Sequence, residues 1–412
     1  MLNYSALIRE ISYLSIGKLL KTVVFLITTI YLARYLGPEN YGIYSYVIAI
    51  VMIFNSVAKL GLNSILTLNV ANNYNGGKLL LSSIILQIIA GVFGAIILLL
   101  YSTNLSSTKQ TGLVICCITL PFISAELTES YFVGKQRSKI SVRRRMLHVL
   151  ISSFLKIYLI LEGFELKFFF YAFLFDAILL SILFYFPVKN EITSSNYRYV
   201  NFKFLLRQSW PIWITSIFTL IYMRVDTLMI NLIIDDYATG IYSSSVRIIE
   251  SIILLPSIAS TALLPYLKES KNVSIDFYNK RLSLFFKIAL LGSSIFSILM
   301  WFYGDNLVSL VYGESFVNDF GLFSILSLCL IPISLGLITD KHILVEGLQK
   351  KIIHVVLIGA ATNTILNWIL ISKMGIKGAA IATLISYLLN NFFIFFLFKD
   401  LKHIPKIILK IN

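Results

Sequence analysis

The stretch LARYLGPENYGIYS, residues 32–45, joins two long apolar runs and decides how the N-terminal part of the chain folds. The first run covers residues 11–34 and the second covers 41–63. Gly37 permits a backbone turn that other residues resist, and Pro38 lacks the N–H that would continue the first helix. A bilayer core of about 30 Å requires about 20 apolar helical residues. The pattern therefore predicts two membrane-spanning helices that are joined by a tight turn.

The composition of the whole chain supports the same class of protein. The 412 residues are 58% hydrophobic and only 13% charged, with a mean hydropathy of +0.83. Soluble domains carry about 25% charged residues, so we expect an integral membrane protein. The run that begins at Ile11 is longer than the apolar core of about 7–15 residues in a cleavable signal peptide. We interpret it as the first span.

The remaining apolar runs predict an all-α, polytopic fold with about twelve transmembrane helices. They are long and unbroken, whereas the strands of a membrane barrel alternate in polarity over about ten residues. The twelve predicted spans are 11–34, 41–63, 78–101, 111–133, 146–161, 167–187, 209–234, 239–266, 282–303, 317–341, 351–371 and 376–398.

The distribution of basic residues predicts the orientation, because cytoplasmic loops carry an excess of Lys and Arg. With the N-terminus inside, 23 of the 35 basic residues lie in cytoplasmic segments and five on the opposite side. Both termini should then be cytoplasmic. The polar segment 188–208 divides the spans into six plus six, which predicts lobes at 1–200 and 201–412. Two such halves would be related by a pseudo-two-fold axis along the membrane normal, and GIYS recurs at 42–45 and 240–243.

Several function classes are disfavoured by the same sequence. The net charge of +15 is spread over short loops rather than concentrated in one domain, which argues against nucleic-acid binding. The three cysteines and four histidines have no metal-ligand spacing, so we expect no metal and no cofactor. The sequence contains no nucleophile–base pattern and no phosphate loop, so we do not expect an enzyme.

Seven basic residues lie inside predicted spans, where a charge costs roughly 2.5–3.5 kcal/mol on insertion scales. Three of them lie near span ends, where a long lysine stem can reach the interface: Lys59, Lys156 and Lys287. We interpret these three mainly as interface anchors and keep Lys287 among the substrate-binding candidates. The other four lie deeper: Lys18, Lys21, Arg224 and Arg247. They either contact an anion in a cavity or pair with carboxylates of other helices. Arg34, beside the turn, is a further candidate at the outer mouth.

Five acids inside the spans are candidates for ion pairing or for coupling to H⁺ or Na⁺. Glu250 lies three residues from Arg247, so the two can pair along one helix face. Asp226 lies two residues from Arg224, on a different face of that helix, and should pair elsewhere or face the cavity. Glu126 and Glu129 share one face of the fourth span, and Asp176 lies near the middle of the sixth. Desolvation and like charge favour proton binding at such groups.

Three segments together resemble the Wzx-like polysaccharide flippase family, which exports O-antigen and capsule units. These are Leu32–Ser45, IYMRVDTLMINLI at Ile221–Ile233, and TGIYSSSVRIIES at Thr239–Ser251. That family belongs to the MOP superfamily, with the multidrug and toxin extrusion transporters and the lipid II flippases. The resemblance implies two six-helix bundles around a central cavity that opens alternately to each side. It also implies a substrate of undecaprenyl-pyrophosphate that carries an oligosaccharide repeat unit.

The resemblance leads to the functional hypothesis of an O-antigen or capsule flippase in the bacterial inner membrane. Its partners would be the anionic lipid-linked oligosaccharide, the bilayer and, as a candidate, a glycan polymerase of the same pathway; we expect a monomer. The alternative is a cation-coupled multidrug exporter of the same superfamily, although its cationic substrates would require unpaired acids in the cavity. A lipid II flippase is disfavoured because such proteins usually have fourteen spans, whereas about twelve are predicted here. A membrane-embedded polymerase is disfavoured because it would require a polar loop larger than the segment 188–208.

Overall fold

The computed structural model describes residues 4–72, 76–193, 201–317, 321–398 and 401–409, and side chains are described from Ile16 onward except at 190–193, 349–351 and 409. Within these ranges the chain is helical and contains no strand. The helices are α1 Tyr4–Lys59, α2 Leu62–Ala71, α3 Gly76–Ser102, α4 Ser107–Cys117, α5 Ala125–Gly134, α6 Ser138–Leu161, α7 Leu166–Thr193, α8 Phe202–Ile233, α9 Asp236–Val273, α10 Ile275–Tyr312, α11 Leu322–Leu328, α12 Leu330–Glu346, α13 Gln349–Met374, α14 Ile376–Asn391 and α15 His403–Leu409.

Ten stretches of the described residues are long and apolar enough to cross a membrane. The first, Ile16–Lys59, has 44 residues, about twice the length of one crossing. It is interrupted at Gly37, whose φ of 70° leaves the helical region. This stretch therefore supplies the two predicted spans on either side of the turn. The ten stretches therefore supply eleven spans. The helix α6 is a further candidate, although it carries too many charges to be counted among the ten, and with it the total agrees with the predicted number of about twelve. The all-α, polytopic class is confirmed.

Several predicted boundaries differ from the structure for local reasons. The fourth span is broken into α4 and α5 by a 3-10 segment, Leu120–Ser124, whose second residue is Pro121. The fifth is longer than predicted, because the basic stretch before residue 146 is already helical in α6. The eighth continues through Pro256 and Pro265 to Val273. The tenth begins at Leu322, and residues 318–320 lie outside the described ranges.

The chain packs as two compact units. Unit 1 comprises Met1–Leu36 and Ile43–Leu220, and unit 2 comprises Gly37–Gly42 and Ile221–Asn412. These bounds differ from the predicted lobes, 1–200 and 201–412, at the turn and in the first half of α8. As functional lobes, the predicted halves stay a prediction.

Unit 1 includes the first half of α8 because apolar and polar groups there pack on the end of α1. The indole N–H of Trp213 donates to the carbonyl of Val57 at 2.9 Å. Leu205 is buried in a core cluster with Leu60, Leu66 and Tyr131. The positive φ of Gly61 lets the chain turn where the backbone of Trp213 approaches closely.

Unit 2 includes the turn because two glycines allow the turn and α9 to touch backbone to backbone. A Cβ on Gly42 would lie 1.8 Å from the carbonyl oxygen of Asp236. A Cβ on Gly240 would lie 1.8 Å from the carbonyl oxygen of Pro38. The contact is reciprocal. Gly42 lies four residues after Pro38, whose carbonyl approaches Gly240, and Gly240 lies four residues after Asp236, whose carbonyl approaches Gly42. The two copies of GIYS thus place their glycines at one helix crossing.

Candidate functional site

The most unusual group of charges in unit 2 is a carboxylate that is shared by two arginines. A guanidinium nitrogen of Arg224, on α8, lies 3.0 Å from one carboxylate oxygen of Glu250. Nη1 of Arg247, one turn before Glu250 on α9, lies 2.9 Å from the other oxygen. The three side chains are 11%, 23% and 20% exposed, respectively. Two guanidinium groups therefore converge on the two oxygens of one anion.

Arg247 is held by an aromatic residue as well as by Glu250. Tyr41, from the turn segment of unit 2, forms a side-chain hydrogen bond to Arg247. Tyr41 and Tyr312 both pack against Phe316, with ring centroids 6.2 and 5.4 Å away. This packing restricts the rotamers of long side chains that would otherwise be mobile. The guanidinium of Arg247 is therefore held by both Glu250 and Tyr41.

Asp226 forms no salt bridge with any residue that the structure describes, and its carboxylate is instead held by hydrogen bonds. It is 4% exposed. One carboxylate oxygen accepts from the hydroxyl of Tyr242 at 2.6 Å, and the other accepts from the backbone N–H of Thr227 at 2.7 Å. Tyr242 also lies 3.4 Å from the hydroxyl of Thr383 on α14. Asp226 therefore pairs away from Arg224, which is one of the two outcomes that its position in the helix predicts.

The acids of the fourth span in unit 1 each have a basic partner. Lys59 lies 2.8 Å from a carboxylate oxygen of Glu126. Arg145, on α6, donates to Glu129 through its Nε at 3.0 Å and through a terminal guanidinium nitrogen. Lys21 interacts electrostatically with both acids. The two like charges are therefore compensated by neighbouring helices, and Lys59 is a member of an ion pair rather than an interface anchor.

The interpretation of Lys156 as an interface anchor is wrong. The residue is 8% exposed, and its ammonium group lies 2.6 Å from a carboxylate oxygen of Asp176. Ser152, one turn earlier on α6, accepts a second hydrogen bond at 3.1 Å. Nε2 of His148 contacts the backbone carbonyl of Asp176 at 2.9 Å. Asp176, predicted as a lone acid or as a partner of a lysine, is the partner of this lysine.

Four further predicted site residues lie on α1 and α10. Lys18 and Lys21 lie one turn apart on α1, and both are exposed. Lys287 is half-buried on α10 and makes no ion pair within the described part of the chain. Arg34 is exposed just before the turn. Their assignment to substrate binding stays a prediction.

Sequence reasoning missed the neutral polar residues around the charges. Tyr41 and Tyr242 bind the charged side chains of unit 2, yet single tyrosines in apolar spans have no distinguishing pattern. Asn363 and Asn367, four residues apart on α13, are 1% and 0% exposed, and each has a side-chain oxygen without a donor. Their spacing on one helix face is a signal that the sequence does contain. Among the described residues, no group of three or more His, Cys, Asp or Glu side chains could hold a metal ion.

A comparison with protein families identifies the chain over most of its length. A family model described as "Polysaccharide biosynthesis protein" matches residues 7–271. A putative O-antigen transporter from Shigella flexneri is 22% identical over 396 residues, which cover 91% of this chain and 93% of that protein. An uncharacterized membrane protein from Methanocaldococcus jannaschii is 29% identical over 184 residues, 44% of this chain and 42% of that protein.

Solved structures share the fold. An inward-facing multidrug resistance MATE family transporter of the MOP superfamily matches with a TM-score of 0.71 and 15% identity, covering 96% of this chain and 99% of that one. A MOP superfamily transporter from Pyrococcus furiosus matches with a TM-score of 0.69 and 14% identity, covering 97% and 96%. At these identities the likeness concerns the fold alone, since one fold can carry different functions.

Proposed function

We propose that this chain, which belongs to the polysaccharide biosynthesis protein family and shares its fold with membrane transporters of the MOP superfamily, flips lipid-linked oligosaccharides. The resemblance to Wzx-like flippases that the sequence motifs indicate is confirmed at the level of the family. The proposed substrate is undecaprenyl-pyrophosphate that carries an oligosaccharide repeat unit. The proposed action is transfer from the inner to the outer leaflet for O-antigen or capsule assembly.

The observation that carries this proposal is the convergence of Arg224 and Arg247 on Glu250. It demonstrates that the two guanidinium groups can contact one anion with two oxygens, at 3.0 and 2.9 Å. Guanidinium groups form charge-assisted, bidentate bonds with phosphate as they do with carboxylate. A pyrophosphate that reaches these residues would therefore find two preoriented donors. A cationic drug would gain no such bonds from the two guanidinium groups.

Lys18 and Lys21 supply a second basic feature, in unit 1. Both residues are exposed, and a lysine offers an anion a point charge without fixed geometry. We assign them a supporting role in attracting the pyrophosphate. Lys287 and Arg34 remain candidates for substrate binding. The aromatic residues, 23 Tyr and 30 Phe, are available for sugars but do not specify which ones.

The test is complementation of a flippase-null strain, with surface polysaccharide as the readout. We expect loss of export from Lys21→Gln, Arg224→Gln and Arg247→Gln. The control is Lys373→Gln, which removes an exposed charge at the C-terminal end of α13. Membrane abundance of each variant separates failure to export from failure to insert. Normal surface polysaccharide in all three site variants would refute the assignment of these residues.

A cation-coupled multidrug exporter is the second candidate function, favoured by the likeness to MATE structures. The two candidates differ in the charge of the substrate. Resistance to cationic drugs in a hypersusceptible strain, unchanged by loss of Arg224 or Arg247, would favour the exporter. Restored surface polysaccharide without drug resistance would favour the flippase. Coupling to H⁺ or Na⁺ is part of either proposal, and the buried acids are its candidate carriers.

The proposed location is the bacterial inner membrane, with both termini in the cytoplasm. The support is the excess of basic residues in alternate loops, 23 against five. We also propose that the protein acts as a monomer and delivers its substrate to a glycan polymerase of the same pathway. Accessibility of single cysteines introduced at Lys268 and Lys109 to a membrane-impermeant thiol reagent tests the orientation. The first should be protected in intact cells and the second labelled.

A further inference from the structure

The charges around the shared carboxylate of Glu250 balance one another within unit 2. Arg224 and Arg247 carry two positive charges, and Glu250 and Asp226 carry two negative charges when they are ionised. This group is therefore balanced without a ligand. Each phosphate of a pyrophosphate diester carries a negative charge, so an arriving substrate disturbs the balance. A proton or another cation must accompany the substrate, because an uncompensated charge is costly away from bulk water.

Glu250 occupies the positions on the arginines that a phosphate would use. Its two oxygens lie 3.0 Å from Arg224 and 2.9 Å from Arg247, and its only ion-pair partners in the described part of the chain are these two residues. A phosphate that binds both guanidinium groups must compete with it. Asp226 is not in this competition, since its oxygens accept from Tyr242 and Thr227.

We propose that Glu250 is an internal counter-anion, which the substrate pyrophosphate displaces from the two arginines and which takes up a proton when it is displaced. This inference rests on the proposed function. The proton comes from the bulk solution, where the acid form of the buffer is converted to its conjugate base, and it binds to a carboxylate oxygen of Glu250; no covalent bond of the substrate changes. A carboxylate that is 20% exposed and has lost both cationic partners avoids the cost of a lone buried charge by this step.

The reverse step supplies a route for product release. When Glu250 loses its proton, its carboxylate again competes for both guanidinium groups and weakens the hold on the pyrophosphate. Binding is thereby prevented from becoming too tight for transport. The titratable and charged groups that act on this site, besides Arg224 and Arg247, are Asp226 on α8, Tyr41 in the turn, Tyr312 on α10 and Tyr387 on α14. The tyrosines are neutral near neutral pH, which leaves Glu250 as the group that loses its partners.

The experiment measures the affinity of the purified full-length protein for a short-chain prenyl pyrophosphate sugar by calorimetry. This probe is a pyrophosphate diester, so its own charge is constant between about pH 5 and about pH 9. If binding takes up one proton, the Kd should fall up to about tenfold for each unit that the pH is lowered. Titrations in buffers of different ionisation enthalpy should report proton uptake of about one per bound probe in the same pH range.

Variants assign the proton to Glu250. In Glu250→Gln the competitor is neutral, so the Kd should be lower than that of the wild type at high pH and should not vary with pH. Glu269→Gln, an exposed residue further along α9, is the matched control and should retain the pH dependence of the wild type. Arg224→Gln should weaken binding at every pH.

The outcomes separate this inference from the function on which it rests. Probe binding by the wild type with a Kd that is independent of pH, and without proton uptake, overturns the role of Glu250 and leaves the anion site intact. A pH dependence of the Kd that persists unchanged in Glu250→Gln also overturns the role of Glu250 and leaves the anion site intact. Absence of binding by the wild type at every pH overturns the proposed anion site itself. The buffer titrations use only the wild type, so the inference is testable even if Glu250→Gln does not fold.

Discussion

Replacing Lys156 by Met should destabilise unit 1 severely, because it leaves the Asp176 carboxylate buried without its cationic partner. The two side chains are 10% and 16% exposed, and the charged atoms lie 2.6 Å apart. At that distance and an effective dielectric constant of about 20, the attraction is about 6 kcal/mol. Much of it offsets the cost of desolvating both ions. Removal of one partner from a buried pair typically costs about 3–5 kcal/mol, and we expect a loss in this range.

The local contacts support the upper part of that range. One carboxylate oxygen of Asp176 is buried and has no hydrogen-bond partner among the described residues. The contact with His148 involves the backbone carbonyl of Asp176 and cannot compensate its side-chain charge. Water has little access to the exposed oxygen of a side chain that is 16% exposed. The unpaired carboxylate would therefore have to take up a proton or force the two helices apart.

The assay is reversible unfolding of the detergent-solubilised protein, with the double variant Lys156→Met/Asp176→Leu as the control. An apolar pair of similar volume is often as stable as a buried ion pair. The double variant should thus lie within about 1 kcal/mol of the wild type. A loss below about 1 kcal/mol for Lys156→Met alone would refute the reasoning, since it would mean that Asp176 is hydrated or protonated in the native state.

Two further predictions follow from the helix crossing at the turn and from the C-terminal helix. Gly240→Ala should cost about 1–3 kcal/mol or more, because its Cβ would lie 1.8 Å from the Pro38 carbonyl oxygen, whereas Gly292→Ala, with nothing within 4 Å, should be nearly neutral in the same unfolding assay. Burial lowers the pKa of His403, which lies 2.8 Å from His342, so its neutral form favours the native state. The stability that neutral His403 contributes is complete above its usual pKa of 6.5 and is lost as the pH falls below that value. His403→Gln should therefore reduce the drop in the unfolding midpoint on acidification. An unchanged drop would contradict this role of His403.

The positions of the helices were predictable because they depend on local properties. Runs of apolar residues fix where a span can lie, and Gly37 with Pro38 fixes the break between the first two. The boundaries were less accurate where the chain continues as a helix beyond the membrane. α9 runs on to Val273 past two prolines, since a proline within a long helix can be accommodated by kinking rather than by ending it.

The ion pairs were predictable only where both partners lie on one helix. Arg247 and Glu250 are three residues apart, and the spacing alone places them together. Arg224 meets the same carboxylate from another helix, and no sequence spacing encodes that contact. The depth of Lys156 along its span suggested an interface anchor, but depth does not specify which face of the helix carries the lysine. The face decides whether a lysine reaches the interface or meets an acid such as Asp176.

The number of partners of each acid offers a criterion for separating structural from functional charges. In unit 1 each acid within the spans has one direct basic partner, so the loss of that partner leaves an uncompensated charge and the pair serves the fold. The one-to-one pairs are Lys59–Glu126, Arg145–Glu129 and Lys156–Asp176. Among the described residues of unit 2, Glu250 has two. An anion that replaces Glu250 satisfies both arginines at once, and a single proton satisfies the displaced carboxylate. Two guanidinium groups that already converge on one anion offer a pyrophosphate more charge-assisted donors than the single base of a one-to-one pair, and this is the physical reason to seek the substrate at Arg224 and Arg247 rather than at the other buried bases.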